Sequence, residues 1–143
     1  MSQSVSVLEH PVIAGARAAA DGLDKACRAE AWQLSDTEVQ TGLDLVAAAD
    51  ARLGAVRAAL VREAELRGLR ERTRALSTAA WLADRHRWSR AQAAEAVRIA
   101  ADLARHPAVA AGLAEAALTG EQARVAVGVL DRIGACRFLC VSA

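Results

Sequence analysis

Tyrosine is absent from this chain, phenylalanine occurs once and proline twice among its 143 residues. β-Branched and aromatic residues are too sparse, and apolar-polar alternation too rare, to build a sheet of several strands. Hydrophobic residues still make up 54% of the chain, much of it alanine, which favours helix over every other local structure. The composition therefore predicts an all-α protein, a multi-helix bundle within one domain's length.

Long apolar runs are missing as well. No stretch of about eighteen uncharged apolar residues occurs, which excludes a membrane-spanning helix. The opening MSQSVSVLEHPV has no basic region, and Glu9 and His10 interrupt its apolar part, so it does not read as a secretory signal. Three cysteines, Cys27, Cys136 and Cys140, are too few for a disulfide framework and fit free thiols in a reducing compartment. The expected location is cytoplasmic.

Chemistry-bearing patterns are equally scarce. Cys136 and Cys140 have a suggestive spacing, but no histidine follows to complete a zinc site. His10, His86 and His106 are scattered and suit helix caps or surface positions. There is no glycine-rich phosphate loop, nucleophile elbow or paired-histidine helix. No metal, cofactor or small-molecule ligand is expected, and the chain is not expected to be an enzyme.

What is present is charge segregation. The net charge is +1, yet residues 1 to 51 carry three basic and eight acidic residues, while residues 52 to 90 carry ten arginines against four acids. Seventeen of the eighteen basic residues are arginine, a side chain suited to bidentate contact with phosphate or carboxylate. The preference for arginine fits a coding bias as well as it fits phosphate or carboxylate contact, but a bias does not explain the clustering.

Local signals divide the chain into helices. A first helix is expected from Pro11 to Glu30, with Val12, Ile13 and Leu23 as its larger apolar residues and Gly15 and Gly22 weakening it. Ser35 and Glu38 form a capping-box pair opening a long helix. Along it Val39, Leu43, Val46, Leu53, Val56 and Leu60 recur at helical spacing, and Gly68 is its natural stop. Such a helix would reach roughly 45 to 50 Å, the length of a bundle spine or of a dimer's shared element. Ser77 or Thr78 caps a short helix with Trp81 and Leu82, and Ser89 with Gln92 opens another running to Arg105. Pro107 begins the next helix, through Val109 and Leu113 to near Leu118. Thr119 and Gln122 cap a last helix containing Val125, Val127, Val129 and Leu130, expected to end at Gly134. The tail ACRFLCVSA shows no helical period and suggests a frame-shifted or prematurely ended reading frame.

The arginine-rich segment lies between the long helix and a helix-turn-helix-like corner. Arg67 to Leu76, RGLRERTRAL, reads either as a solvated connector or as a phosphate-binding rim. In the corner the turn is His86-Arg87-Trp88-Ser89, and the following helix begins with Arg90 and Gln92, residue types that read guanine and adenine edges in the major groove. Arg85, Arg87 and the helix N-terminus suit phosphates. The candidate nucleic-acid-binding residues are Arg70, Arg72, Arg74, Arg85, Arg87, Arg90 and Gln92. DNA is the partner this pattern suggests. Against it, the turn lacks the usual glycine, and Trp81 and Trp88 suit corner packing better than base stacking.

The run from Leu76 to Ile133 closely resembles the domain of unknown function 222 family, also called the 13E12 repeat family. The likeness is carried by Ser77-Thr78 before Ala80-Trp81-Leu82-Ala83, by Ser89 and the alanine-rich helix with Val97 and Ala100, by Leu103 and Pro107, and by Leu118-Thr119 followed by Gln122-Ala123. The upstream helix LDLVAAADARLGAVRAALVREAELRGL is similar too, so the resemblance spans roughly residues 35 to 133. It implies an all-helical domain lying N-terminal to an HNH endonuclease module. Two departures stand out. Ala116 occupies a place where many members carry glycine, and the chain ends where the rest of the family domain and the nuclease would follow, so nuclease activity does not carry over to it.

The expected organisation is an N-terminal helical segment at 1–34, the helical domain at 35–134, and an atypical tail at 135–143. The expected function is that of a non-catalytic, C-terminally truncated domain of an HNH-associated protein that contacts nucleic acid through its arginines. The alternative is a protein-interaction or homodimerisation module without DNA binding.

Overall fold

The computed structural model describes residues 9–140, with side chains described to residue 134. Among the described residues every regular element is helical. The chain divides into two compact units, residues 1–42 and 43–143.

In the first unit, helix α1 spans Pro11–Arg28. His10 caps it, its ring nitrogen accepting the Val12 N–H at 3.3 Å, and Pro11 takes the first helical position, where a missing N–H costs nothing. The helix ends two residues earlier than the sequence predicts, because Ala29 turns to extended backbone. Lys25 and Arg28 occupy its last turn, where they complement the helix dipole. A short 3-10 turn, Ala31–Gln33, follows. Helix α2, Asp36–Leu66, then begins with the expected capping box. Ser35 donates its backbone N–H to Glu38 Oε2 at 2.8 Å, and Ser35 Oγ accepts the Glu38 N–H at 3.4 Å. The Ser35 backbone N–H, and after it the Ser35 hydroxyl donating to the same Oε2 at 2.7 Å, hold the Glu38 carboxyl below its usual pKa.

The second unit contains the remainder of α2 and five further helices: α3 (Leu69–Arg72), α4 (Thr78–His86), α5 (Arg90–Arg105), α6 (Pro107–Ala114) and α7 (Gly120–Cys140). Gly68 ends α2 at φ +59°, a left-handed conformation that glycine adopts without steric cost. The core joins Ala51, Ala58 and Val61 of α2 to Leu82 of α4, Ala93, Ala100 and Leu103 of α5, Val109 and Leu113 of α6, and Ala123 and Val127 of α7. Alanine dominates the core.

The long helix turns its alanines and Val61, rather than most of its larger apolar residues, to the core. Its larger apolar residues Val39, Leu43, Val46, Val56 and Leu60 are exposed, whereas Ala51, Ala58, Val61 and Ala64 are buried. The periodicity reported the helix correctly but not the side that meets the core, because small side chains let helices approach where large ones would hold them apart.

Two further boundaries differ from expectation. Helix α6 stops at Ala114 rather than near Leu118, and Ala116 at φ +58° reverses the chain. The Ala117 and Leu118 N–H groups both return to the Gly112 carbonyl, at 2.9 and 3.1 Å, folding Leu118 over Gly112. A Cβ on Gly112 would lie 2.9 Å from Leu118 Cδ1, so a larger residue there would make the Leu118 side chain shift. Helix α7 passes through Gly134 to Cys140. A single interior glycine costs only about 1 kcal/mol relative to alanine, too little to stop a helix whose following residues are not helix breakers.

Candidate nucleic-acid interface

Serines start both helices of the α4–α5 corner. Ser77 Oγ accepts the Ala80 N–H at 3.0 Å, and Ser89 Oγ accepts the Gln92 N–H at 3.1 Å. The Ser89 cap uses one half of a capping box, since Gln92 does not reach back, whereas at Thr119 and Gln122 both halves form, at 2.9 and 3.2 Å. Between the helices Arg87 adopts φ 56° and ψ 33°. Its N–H returns to the Ala83 carbonyl, and so does that of Trp88, at 3.1 Å. The missing glycine of this turn is thus replaced by an arginine held in the left-handed region, a conformation that costs a non-glycine residue about 1 to 2 kcal/mol.

The tryptophans serve this corner as packing. Trp81 and Trp88 are half-buried against the core cluster. The Arg85 guanidinium carbon lies 5.9 Å from the Trp81 ring centre, that of Arg57 lies 6.0 Å from the Trp88 ring centre, and the His86 and Trp88 rings are 5.2 Å apart. These cation-π contacts leave the guanidinium groups at the surface, oriented by rings that are themselves fixed.

The predicted residues do not form one cluster. Arg85, Arg87 and Arg90 share the exposed α4–α5 corner, and no acid lies within ion-pair distance of them among the described residues. Arg72 and Arg74 are likewise exposed and unpaired, on α3 and just beyond it, and α3 adjoins α4. Arg70 is turned to a structural task. Its Nη1 donates to the Leu76 carbonyl at 3.2 Å, and Glu71 stands 3.9 Å from Nη2, so it braces the α3–α4 connection. Gln92 opens onto a cleft of about 620 Å³, whose apolar floor includes Ala58, Leu103 and Val127 and whose rim carries Asp50, Arg57, Glu95 and Arg124. That rim is not predominantly basic, so Gln92 lies apart from the arginine face.

Arg57 and the cleft are what the sequence reading missed. Arg57 stands 31 positions before the ring it covers, and nothing in local spacing announces that contact. A second missed feature ties α5 and α6 to α7. Arg98 donates to Glu95 Oε2 at 2.8 Å and to Asp102 Oδ2 at 2.7 Å, while Arg105 donates to Asp102 Oδ1 at 2.6 Å and Asp131 Oδ1 at 3.0 Å. His106 Nε2 lies 2.9 Å from the same Asp131 oxygen. The hydrogen bond from His106, with those from Arg105, holds the Asp131 carboxyl below its usual pKa, and Arg98 does the same for Glu95.

No group of three potential metal ligands converges among the described residues, and the Cys136–Cys140 pair lies outside the side chains described. No helix among the described residues is long and apolar enough to cross a membrane. A family model described as a domain of unknown function (DUF222) matches residues 41–139. No curated protein and no solved structure matches the chain.

Proposed function

The chain belongs to the domain-of-unknown-function 222 family, and we propose that its helical domain is a non-catalytic nucleic-acid-contacting element that works beside an HNH endonuclease module in full-length family proteins. The observation that carries this reading is the α4–α5 corner, where Arg85, Arg87 and Arg90 stand exposed with no acidic partner among the described residues. Guanidinium groups so placed are available to phosphate oxygens, and the N-terminus of α5 adds backbone donors and a favourable dipole. Arg72 and Arg74 extend the basic surface, while Arg70 contributes through the loop it braces.

Fluorescence anisotropy with a labelled random duplex, at about 50 and about 200 mM salt, tests the reading. Each phosphate contact releases counterions, so affinity should drop steeply as salt rises. A variant with Arg85, Arg87 and Arg90 changed to Ala should bind more weakly and with a shallower salt slope. Absence of binding at low salt would refute the assignment.

The second reading, a protein-interaction or homodimerisation module, is favoured by a different observation, the exposed apolar stripe along α2.

A further inference from the structure

The exposed stripe of α2 has a heptad register. Val46, Leu53 and Leu60 recur every seven residues, and Ala49 and Val56 each fall three after the first two, which is the seam of a two-stranded coiled coil. Val46, Val56 and Leu60 are exposed, Ala49 and Leu53 are half-buried beside them, and the face that α2 turns to the core carries Ala51, Ala58 and Val61 instead. The residues bordering the seam decide which way a second copy of this helix would run.

In a parallel pair, residues five apart face each other across the seam, which sets Arg52 against Arg57 of the other copy, twice over. In an antiparallel pair with Leu53 against Val56, the same edge sets Asp50 against Arg57 of the other copy, again twice by symmetry. Like charges there oppose association and opposite charges favour it. On the other edge the antiparallel register brings Leu45 against Leu66, the two side chains being 67% and 65% exposed. Two hydrophobic pairs and two ion pairs are satisfied at once.

We infer that α2 is a homodimerisation helix that pairs with a second copy of this chain in antiparallel orientation, centred between Leu53 and Val56. This assignment rests on the second reading of function and specifies its partner and register. Glu63 falls opposite Val46 near the end of the seam. It is already paired to Arg67, just past the end of its helix, which marks the limit of the apolar contact.

Sedimentation equilibrium of the full chain, wild type beside three charge variants, tests the inference. The wild type should dimerise. Arg57→Asp and Asp50→Arg should each weaken the dimer by about tenfold or more, since both convert two attractive pairs into repulsive ones. The double exchange Asp50→Arg with Arg57→Asp should restore it. Because Arg57 also covers Trp88, thermal melts followed by circular dichroism accompany each variant, and Asp50→Arg makes the same test without disturbing that contact. A dimer that Arg57→Asp strengthens is parallel, since Arg52 then gains an opposite charge. That result, or a dimer indifferent to all three variants, overturns the register and leaves the dimerisation reading standing. A wild-type monomer at all concentrations overturns both.

Discussion

His106 and Asp131 meet at 2.9 Å across 25 residues of sequence, joining the junction of α5 and α6 to the middle of α7. The half-buried imidazole and the guanidinium of Arg105 converge on one carboxylate and hold it ionised. Since the folded-state pKa of Asp131 lies below its ordinary value of 3.8, the stability it contributes is fully present above that value. It is lost as pH falls through the lower folded pKa. Thermal melts of Asp131→Asn should therefore show a lower midpoint than wild type at neutral pH and a shallower loss of stability in acid. Equal acid dependence in the two proteins would show that the contact contributes nothing.

Ala116 sits at φ +58°, where the resemblance to the family led one to expect glycine. Ala116→Gly removes the clash between Cβ and the following carbonyl, offset in part by the greater freedom of glycine in the unfolded chain. The variant should gain about 0.5 to 1 kcal/mol in urea unfolding. A loss of stability would mean that the methyl group makes packing contacts worth more than the strain.

Arg87 is in the same backbone region at φ 56° but carries a different expectation. Arg87→Gly should stabilise the fold by about 0.5 to 1 kcal/mol, on the same argument. It should also weaken duplex binding and reduce the salt slope by about one. Paired urea titration and anisotropy check both effects. Stabilisation without any change in binding would leave Arg87 with no role in nucleic-acid contact.

Leu82 and Leu76 lie six residues apart with opposite environments, 4% and 93% exposed. Leu82→Ala empties part of the core and should cost about 2 to 4 kcal/mol. Leu76→Ala should stay within about 0.5 kcal/mol of wild type. Chemical denaturation of both variants measures the contrast, and similar costs would contradict the packing of α4 described here.

Much of this architecture was legible because its signals are local. Ser35 with Glu38, Ser89, Pro107 and Thr119 with Gln122 each act within a single turn of backbone, so the starts of α2, α5, α6 and α7 follow from neighbours in sequence. The end of α6 and the extension of α7 past Gly134 were less legible. A left-handed residue without glycine leaves no compositional mark, and one glycine is too weak a signal to end a helix.

The candidate site divides in the same way. Three arginines on one exposed corner could be read from the short distance between Arg85 and Arg90, since a tight turn leaves them few places to go. Arg70 looks identical in sequence to Arg72 and Arg74, yet only Arg70 reaches the Leu76 carbonyl and braces the loop. Gln92 has the right place at the start of α5, but its face opens onto a cleft of mixed charge.

By itself the sequence determined the helical class, most helix starts and the concentration of arginine between α2 and α5, because propensity, capping and charge act over a few residues. Only the tertiary structure decided which face of α2 is buried. It also decided which arginines remain unpaired at the surface, and that Asp131 closes on His106. Those outcomes depend on contacts between residues far apart in sequence, where small alanine surfaces fit closely and the larger apolar stripe does not.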